Sequence, residues 1–352
     1  MAIHLPTPET MRAWVRSRRG PACAVLELAK EMPVPPGPVP SSRDVLIRVS
    51  HVSLQYTSEM AMKLLPTLPF TGMWTPEIEL SGQVVASGAG APAEVREPGT
   101  HVVAFRTAPW SIILGNGVLA EYVLISGSQV VRVNETLDMA SASGIPCSGS
   151  VALDMVRAAG VRHGQRVLIN GASGSIGSLL VQLCKLRGAT VVGIASGGNE
   201  SMVRGFGADE FIDYRKCESL PSHLALIYGQ RPFDTVLDCA GVQALFANSA
   251  DYLKPDGVFI NVGALQGLLI TVGNWLYNRW MPICLGGAPR RFVMFSSPPS
   301  RESAIYIAHL IDQRKLRLPV DSVYPMEKAT DAYERIATKR ARGKVVIKVC
   351  KD

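Results

Sequence analysis

The sequence predicts an α/β protein in which a doubly wound parallel sheet is inserted into a β domain. Short β-rich runs separated by Gly, Pro and Ser fill residues 12–130. From about Asn134, strand-like and helix-like runs alternate, as they do in βαβ units around a parallel sheet. Strand-like runs return near the C-terminus. We therefore expect residues 1–133 and 316–352 to form the β domain and residues 134–315 to form the inserted domain.

The first β-rich part holds five predicted strands, followed along the chain by the alternating part. The strands of the first part are MRAWVRS, DVLIRVSHVSL, GQVVASG, THVVAFR and AEYVLIS. PVPPGPVPSSRD is a rigid, exposed connector between the first two of them.

In the alternating part, the strands are continuous apolar runs, which indicates that helices cover both faces of the sheet. Its strands are QRVLIN, TVVGIAS, EFIDY, DTVLDCAG and VFINVGA, and its helices are SIGSLLVQLCKLRG, NESMVRGFG, ESLPSHLALIYG, VQALFANSADYLKPDG and RESAIYIAHLIDQRKL. The returning part reads as two strands, KLRLPVDSVYP and GKVVIKV, with the helix EKATDAYERIATKRA between them.

Composition and charge narrow the class of protein. The 352 residues are 47% hydrophobic and 18% charged, as in an ordinary globular protein. The formal net charge of +7 comes from scattered Lys and Arg residues, so we do not expect nucleic-acid binding. No apolar run is long enough for a membrane span.

Cysteine usage and the N-terminal segment indicate the compartment. The seven cysteines are far apart and form no CxxC pair, which argues against a disulfide framework and a structural zinc site. The segment MAIHLPTPETM has no apolar signal-peptide core. We therefore expect a cytoplasmic protein with reduced thiols.

The run GASGSIG lies between a predicted strand and a predicted helix, which is the context of a dinucleotide-binding loop. In the pattern G-x-G-x-x-G, Ala172 takes the first position, Gly174 the second and Gly177 the third. Gly174 allows the backbone to approach a pyrophosphate, and Gly177 allows the helix to pack closely on the strand. Ser173 and Ser175 add hydroxyl donors beside the N-terminus of the helix.

The end of the next strand indicates which dinucleotide is bound. NAD enzymes usually carry Asp or Glu there, but VVGIA is followed by Ser196 and then Asn199, and Glu200 comes later. Hydroxyl and amide groups accept a 2′-phosphate that a carboxylate repels, so we expect NADPH. Ser196 and Asn199 are also typical helix caps, and both roles stay open at this stage.

At these residues the chain resembles the zinc-free medium-chain dehydrogenase/reductase superfamily, in its quinone oxidoreductase and enoyl reductase branch, and within it the reticulon-interacting-protein-like reductases. The blocks that carry the resemblance are DVLIRV, PEIELSGQVV, GVLAEYVLI, GQRVLINGASGSIGSLLVQLCKLRGA, SGGNESMVRGFGADEFIDYRK, LKPDGVFINVGA and ARGKVVIKV. The resemblance implies a GroES-like β domain, a Rossmann domain, an active site in the cleft between them, and NADPH as the hydride donor.

The resemblance also assigns cofactor contacts. It places Ser173, Ser175 and Ile176 at the pyrophosphate, beside Gly174 and Gly177, and Ser196 and Tyr214 at the 2′-phosphate end, where we add Asn199. It places Gly263 and Ala264 near the nicotinamide, and Arg342, Gly343 and Lys344 over the cofactor. Without the resemblance, Lys344 reads as an ordinary surface charge.

Zinc-dependent relatives carry a Gly-His-Glu motif and a four-cysteine lobe. Here the corresponding segment is Pro76-Glu77-Ile78-Glu79, without His, and the cysteine lobe is absent. Because a catalytic zinc needs imidazole or thiolate ligands, we expect no metal. Hydride delivery to a conjugated C=C bond or a quinone needs only a hydrogen-bond donor for the charge that develops on oxygen.

The chain departs from the family pattern at three places, one of which, Thr100 after the turn at Gly99 where Gly-Asp is usual, is a structural change. Relatives usually have Asn-Pro-x-Asp where this chain has Gln55-Tyr56-Thr57-Ser58, and often Thr where it has Val151. Either Gln55 or Tyr56 then polarises or protonates the acceptor. Alternatively, Tyr56 only packs as a half-buried aromatic residue.

The segment Leu265–Pro299 is rich in aromatic residues without a clear period. It suits a lid over a small, apolar substrate, a homodimer contact or a membrane-surface patch flanked by arginines. The first functional hypothesis is an NADPH-dependent reductase of an enone, an enoyl thioester or a quinone, in one variant serving a polyketide synthase as its partner. The second is a redox-inactive family member that binds a ligand or partner.

Overall fold

The computed structural model describes residues 6–67, 74–107, 111 and 114–350. The chain divides into two compact units, of which the first combines Met1–Ser150 with Pro298–Asp352 and the second is Val151–Ser297. The first unit is thus built from two separate stretches of chain, as we expected for a domain that carries an insertion.

The regular elements are numbered in chain order. The strands are β1 (Thr10–Arg16), β2 (Leu26–Pro33), β3 (Asp44–Ser53), β4 (Glu79–Ser87), β5 (His101–Phe105), β6 (Tyr122–Ser126), β7 (Val130–Arg132), β8 (Arg166–Asn170), β9 (Thr190–Ala195), β10 (Glu210–Asp213), β11 (Phe233–Asp238), β12 (Leu253–Asn261), β13 (Arg291–Met294), β14 (Val320–Pro325) and β15 (Lys344–Lys348). The helices are α1 (Ala22–Val25), α2 (Tyr56–Leu64), α3 (Met139–Ala142), α4 (Ser150–Ala158), α5 (Ser175–Leu186), α6 (Glu200–Gly205), α7 (Leu220–Tyr228), α8 (Gln243–Ala247), α9 (Leu268–Trp280), α10 (Arg301–Asp312) and α11 (Ala329–Ala337).

The first unit is built on a sheet of seven strands in the order β14-β15-β3-β4-β5-β7, with β6 also paired to β3. Strand β3 gives its first half to β6 and its last residues to β15, both antiparallel. The C-terminal strand β15 therefore lies beside a strand formed almost 300 residues earlier. Buried Val, Ile and Leu side chains of these strands form one core with residues of α11.

The boundaries of the first unit differ from those that we expected. Residues 134–150 and 298–315 belong to it and not to the inserted unit. The reason lies in long-range contacts, because α10 packs on the π-helical turn Ile145–Gly149 and on β7. Arg301, at the start of α10, donates from its Nε to the carbonyl of Val130 at 3.0 Å. Local sequence pattern carries no signal for this packing.

The second unit holds a sheet of six strands in the order β10-β9-β8-β11-β12-β13, and every pair in it is parallel. This is the order of a doubly wound dinucleotide-binding fold, in which the direction of winding reverses between β8 and β11. The predicted fold class is confirmed. The edge strand β13 and, in the first unit, β2 and β7 were not predicted from the sequence.

One predicted helix is shorter in the structure. The run VQALFANSADYLKPDG forms only α8 and the 3₁₀ turn Ser249–Asp251, and β12 already begins at Leu253. Residues 254–257 form a bulge between the pairs Phe233–Leu253 and Thr235–Val258. Lys254 Nζ holds this bulge to the Asp234 carboxylate at 2.6 Å. The Pro-Asp-Gly sequence therefore marks a bulge within a strand and not the end of a helix.

The aromatic segment Leu265–Pro299 contains α9, whose side chains are mostly exposed, with only Thr271 buried. Leu269 and Trp280 are 78% and 73% exposed. The three alternative roles of this segment, as a substrate lid, a homodimer contact or a membrane-surface patch, stay predictions. Within the described part of the chain, no helix combines the length and the apolar character needed to cross a membrane.

Candidate active site

The glycine-rich loop follows β8 directly and leads into α5. Gly171 opens the turn with φ +77°, a backbone conformation that favours glycine. A side chain at Gly177 would overlap the carbonyl group of Gly171, so α5 can pack this closely on the loop only with glycine there. The structure thus gives Gly177 the packing role that the sequence predicted.

Gly174, the N-cap of α5, has a different environment. A Cβ at this position would meet only the carbonyl oxygen of Gly171, at 3.5 Å, which is ordinary van der Waals contact. The protein itself leaves room for a side chain here, so a ligand that approaches the backbone is the better reason for glycine. A helix N-terminus carries a partial positive charge and N–H groups that point out of the helix, so the N-terminus of α5 suits a pyrophosphate.

A cluster of three polar side chains joins the loop to the end of β9. The Asn199 amide donates to the hydroxyl oxygens of Ser173 at 2.9 Å and of Ser196 at 3.1 Å. Neither Ser196 nor Asn199 makes a side-chain capping bond to the following helix, so the capping interpretation is not supported. Because both hydroxyls accept from Asn199, their own protons are left to be donated to a ligand.

Asn199 also carries an orphaned atom. Its side chain is buried, and its Oδ1 has no hydrogen-bond partner among the described residues. A buried carbonyl without a partner costs free energy, so it marks a place where a ligand or water completes the site. The residues of this loop therefore fit the phosphate-bearing part of a dinucleotide.

The surroundings of this cluster include a carboxylate that the sequence analysis missed. Asp213, at the end of β10, lies against Gly197, because the neighbouring parallel strands β9 and β10 end together. Its Oδ1 accepts from the Arg215 backbone N–H at 3.1 Å. Tyr214 is 45% exposed, with the Arg215 guanidinium 5.9 Å from its ring centre.

The carboxyl ends of β8 and β11 are tied together where the winding of the sheet reverses. Asn170 donates to Asp238 at 2.8 Å, and Asp238 also accepts from backbone N–H groups of the turn that follows it. Burial raises the pKa of Asp238, while these hydrogen bonds oppose the shift. A side chain at Gly263 would overlap Ala240 and Gly241, so packing alone requires glycine there.

In the first unit, Gln55 is held at two of its atoms. Its backbone N–H donates to Glu77 Oε2 at 3.0 Å, and its side-chain amide donates to Glu79 Oε1. Tyr56 is the first residue of α2 and is partly exposed. Its hydroxyl makes no hydrogen bond within the described residues, and Lys339 Nζ lies 5.4 Å from its ring centre.

Glu79 is the centre of a buried group of charged and polar atoms. Its side chain is fully buried, and Lys344 Nζ donates to its Oε1 at 2.5 Å. The backbone N–H of Cys147 donates to its Oε2 at 2.8 Å. Four segments of the chain therefore meet at one carboxylate.

Glu77 has an unusual backbone and an unusual carboxyl group. Its φ of +68° is rare for a residue other than glycine and indicates a strained turn before β4. Tyr333 of α11 donates to its Oε1 at 2.6 Å, and Ser58 donates to its Oε2 at 3.1 Å. Burial raises the pKa of Glu77 to about 7, although these hydrogen bonds lower it in part.

The C-terminal residues assigned to the cofactor lie in different environments. The Arg342 side chain is exposed, and its backbone N–H donates to Asp321 at 2.7 Å. Gly343 has φ +105°, and a side chain there would overlap the carbonyl of Pro319. Lys344 is buried and ion-paired, so the surface-charge interpretation is wrong. Direct contact of its ammonium group with a cofactor would require this ion pair to open.

Ser173, Ser196 and Asn199 are thus brought together by the structure, as are Gln55 and Lys344 through their shared partner Glu79. The sequence alone did not indicate that Glu77, Glu79 and Tyr333 are parts of a site. A signal existed in PEIEL, where two acids alternate with apolar residues at the start of a buried strand. No group of three or more His, Cys, Asp or Glu side chains in the described ranges is arranged to hold a metal ion.

Comparisons with known proteins agree with this fold. Residues 41–135 match the family model of the alcohol dehydrogenase GroES-like domain, and residues 206–347 match that of zinc-binding dehydrogenases. The medium chain reductase pydE of an Acremonium species is 43% identical over 97% of this chain and 99% of that relative. The trans-enoyl reductase poxH of Penicillium oxalicum is 31% identical over 98% and 99% of the two chains. Among solved structures, the quinone oxidoreductase from Coxiella burnetii superposes with a TM-score of 0.79 at 26% identity, over 97% and 99% of the two chains.

Proposed function

Because the chain belongs to the medium-chain dehydrogenase/reductase superfamily, in its quinone oxidoreductase and enoyl reductase branch, we propose that it is a zinc-independent, NADPH-dependent reductase of an activated C=C bond. Family membership makes the chain an oxidoreductase that uses a nicotinamide cofactor. NADPH, the independence from zinc and the nature of the acceptor are the parts that we propose.

The observation that carries the proposal is the cluster of Ser173, Ser196 and Asn199. The Asn199 amide turns both serine hydroxyls into donors, and an anionic 2′-phosphate accepts hydrogen bonds from such groups. Glu200, the acid nearest in sequence, already pairs with Arg204 at 2.8 Å. Asp213 argues against NADPH, because its carboxylate lies against Gly197 and would repel a 2′-phosphate. The relative affinities for NADPH and NADH are therefore a decisive test.

When bound, the nicotinamide supplies the hydride. The protein has to bind the cofactor, hold the acceptor and provide a proton or a hydrogen bond where negative charge develops. The N-terminus of α5 and Gly174 suit the pyrophosphate. Tyr56 is partly exposed, and its hydroxyl, which makes no hydrogen bond within the described residues, can donate to the acceptor. The acceptor we favour is a small apolar enone or enoyl thioester, because the relative poxH is named a trans-enoyl reductase. A quinone is the second acceptor class, and a polyketide synthase partner stays a prediction.

In the segment Pro76–Glu79, both carboxyl groups already have partners within the protein, which supports independence from zinc. The ammonium group of Lys344 neutralises Glu79. The Glu77 carboxyl accepts hydrogen bonds from the side chains of Tyr333 and Ser58 and from the backbone N–H of Gln55. A divalent cation would have to displace these partners without any imidazole ligand in the segment.

Titration of the protein with NADPH and with NADH, followed by the decrease of NADPH absorbance with enones, enoyl thioesters and quinones, tests the proposal. We expect NADPH to bind at least about tenfold more tightly than NADH and to be oxidised by an α,β-unsaturated acceptor. In S196D, the added carboxylate repels the 2′-phosphate, so this preference should shrink or reverse. Glu200→Gln, an exposed change beside the cluster, is the matched control.

Equal binding of both cofactors by the natural protein would rule out the NADPH part. Tight binding without oxidation by any acceptor would favour the alternative, a redox-inactive member that binds a ligand or partner. This alternative rests on the sequence Gln55-Tyr56-Thr57-Ser58, which departs from the family pattern.

A further inference from the structure

Gln55 lies between two buried carboxyl groups, and their arrangement determines how it can act. Its backbone N–H is bound to Glu77 and its side-chain amide to Glu79. The main chain and the side chain of the residue before α2 are therefore both fixed. What remains to be explained is which of its side-chain polar atoms is available to a ligand.

The charge on Glu79 decides which end of the Gln55 amide faces it. Lys344 Nζ lies 2.5 Å from Oε1 of Glu79, and both side chains are almost fully buried, at 3% and 0% exposed. A carboxylate paired with an ammonium group can only accept hydrogen bonds. The Gln55 amide must therefore present its NH₂ group to Glu79, because its carbonyl oxygen would be repelled.

The opposite end of the amide follows from this constraint. The side-chain carbonyl oxygen of Gln55 has no donor within the described part of the chain, and Gln55 is only partly buried. Gln55 therefore offers a ligand an acceptor oxygen. The hydroxyl of Tyr56, the next residue in the chain, makes no hydrogen bond within the same described residues and is available as a donor.

We propose that Glu79 and Lys344 are positioning residues, which lock the Gln55 amide so that it accepts a hydrogen bond from the bound reactants and leaves proton donation to Tyr56. This inference rests on the proposed reductase function and decides between the two donors that the sequence left open. It also gives Lys344 a role that requires no contact with the cofactor.

A neutral double variant separates positioning from stability. Glu79→Gln alone leaves the buried Lys344 without a counter-charge, so it should lose stability. Adding Lys344→Met removes that charge, and the double variant E79Q/K344M should regain most of its thermal stability. It should not regain activity, because the amide introduced at position 79 both donates and accepts and no longer fixes the orientation of Gln55.

Single-turnover hydride transfer from NADPH to the best acceptor of the panel is the readout. In the double variant we expect a rate at least about tenfold below that of the natural protein, with the Kd for NADPH within about twofold. Glu121→Gln, which weakens the Arg12–Glu121 pair at 2.8 Å elsewhere in the first unit, should leave the rate unchanged. A double variant that is both stable and fully active would overturn the inference.

Glu79→Asp provides a second test if the double variant does not fold. It keeps the charge that pairs with Lys344 but draws the carboxylate away from Gln55, so the rate should fall while the chain stays folded. A rate equal to that of the natural protein would contradict the positioning role. Tyr56→Phe should abolish the proton-donating step, and Gln55→Met should reduce the rate less.

Failure of the proposed reductase function and failure of this inference give different experimental results. If the natural protein transfers hydride to no acceptor, the reductase function fails and the inference falls with it. If the natural protein is active and Tyr56→Phe is equally active, the reductase function stands and the assignment of donor and acceptor is wrong.

Discussion

The glycine-rich loop and the group of residues around Glu79 are built in opposite ways. In the loop, the contacts join residues that are close in sequence, with Ser173 and Asn199 only 26 positions apart. Around Glu79, Lys344 lies 265 positions away and Cys147 lies 68 away. The loop depends on backbone shape and small side chains, whereas the other site depends on buried charges.

This difference explains why the two sites respond differently to change. We expect the glycine-rich loop to lose its ligand while the chain stays folded, because the protein itself leaves room for a side chain at Gly174. A buried charge pair cannot lose one partner without a large cost, since the remaining charge is left in an apolar interior.

Lys344→Met alone should have the largest effect on stability. The change leaves the Glu79 carboxylate buried without its counter-ion, which should lower the free energy of unfolding by about 3–5 kcal/mol. Urea denaturation measures the loss. Lys254→Met removes a partly exposed pair in the second unit and should cost about 1 kcal/mol or less. Equal losses of unfolding free energy in Lys344→Met and Lys254→Met would show that the buried pair matters no more than the partly exposed one.

The carboxyl of Glu77 should make stability depend on pH. Burial raises its pKa from 4.5 to about 7, so between these values the folded chain keeps a proton that the unfolded chain has lost. Stability therefore falls as pH rises through this window, by about 3 kcal/mol in total, and the contribution is constant above the folded pKa.

Urea denaturation at several pH values between about 4 and 8 measures this effect. Glu77→Gln, which resembles the protonated carboxyl, should show a flatter profile than the natural protein across the window. Glu200→Gln, at an exposed position, should follow the natural profile. Parallel profiles for the natural protein and Glu77→Gln would show that Glu77 titrates normally.

Two glycines of the same loop should behave differently. Gly177→Ala places a methyl group against the Gly171 carbonyl and should cost about 1–3 kcal/mol of stability. Gly174→Ala should leave the melting temperature unchanged and weaken NADPH binding about tenfold, which corresponds to about 1.4 kcal/mol. Thermal denaturation and fluorescence titration of both variants test this. A destabilised Gly174→Ala variant would show that the protein itself requires this glycine.

The same contrast explains what could be predicted from the sequence. The fold class and the glycine-rich loop follow from local pattern, because strand, turn and helix are adjacent in the chain. The unit boundaries near residues 150 and 298 depend on α10 packing against a distant turn, which no local pattern shows. The partners of Lys344 were out of reach for the same reason, since a single Lys before an apolar strand resembles a surface charge.

The division of the first unit into two stretches of chain has a consequence for synthesis. Residues 151–297 form a continuous unit, whereas the sheet of the first unit lacks β14 and β15 until residues 320–348 have been made. While the chain is being synthesised, Glu79 is therefore made before its ammonium partner, and all of residues 151–297 are added before Lys344. The buried ion pair can close only after translation has passed Lys344.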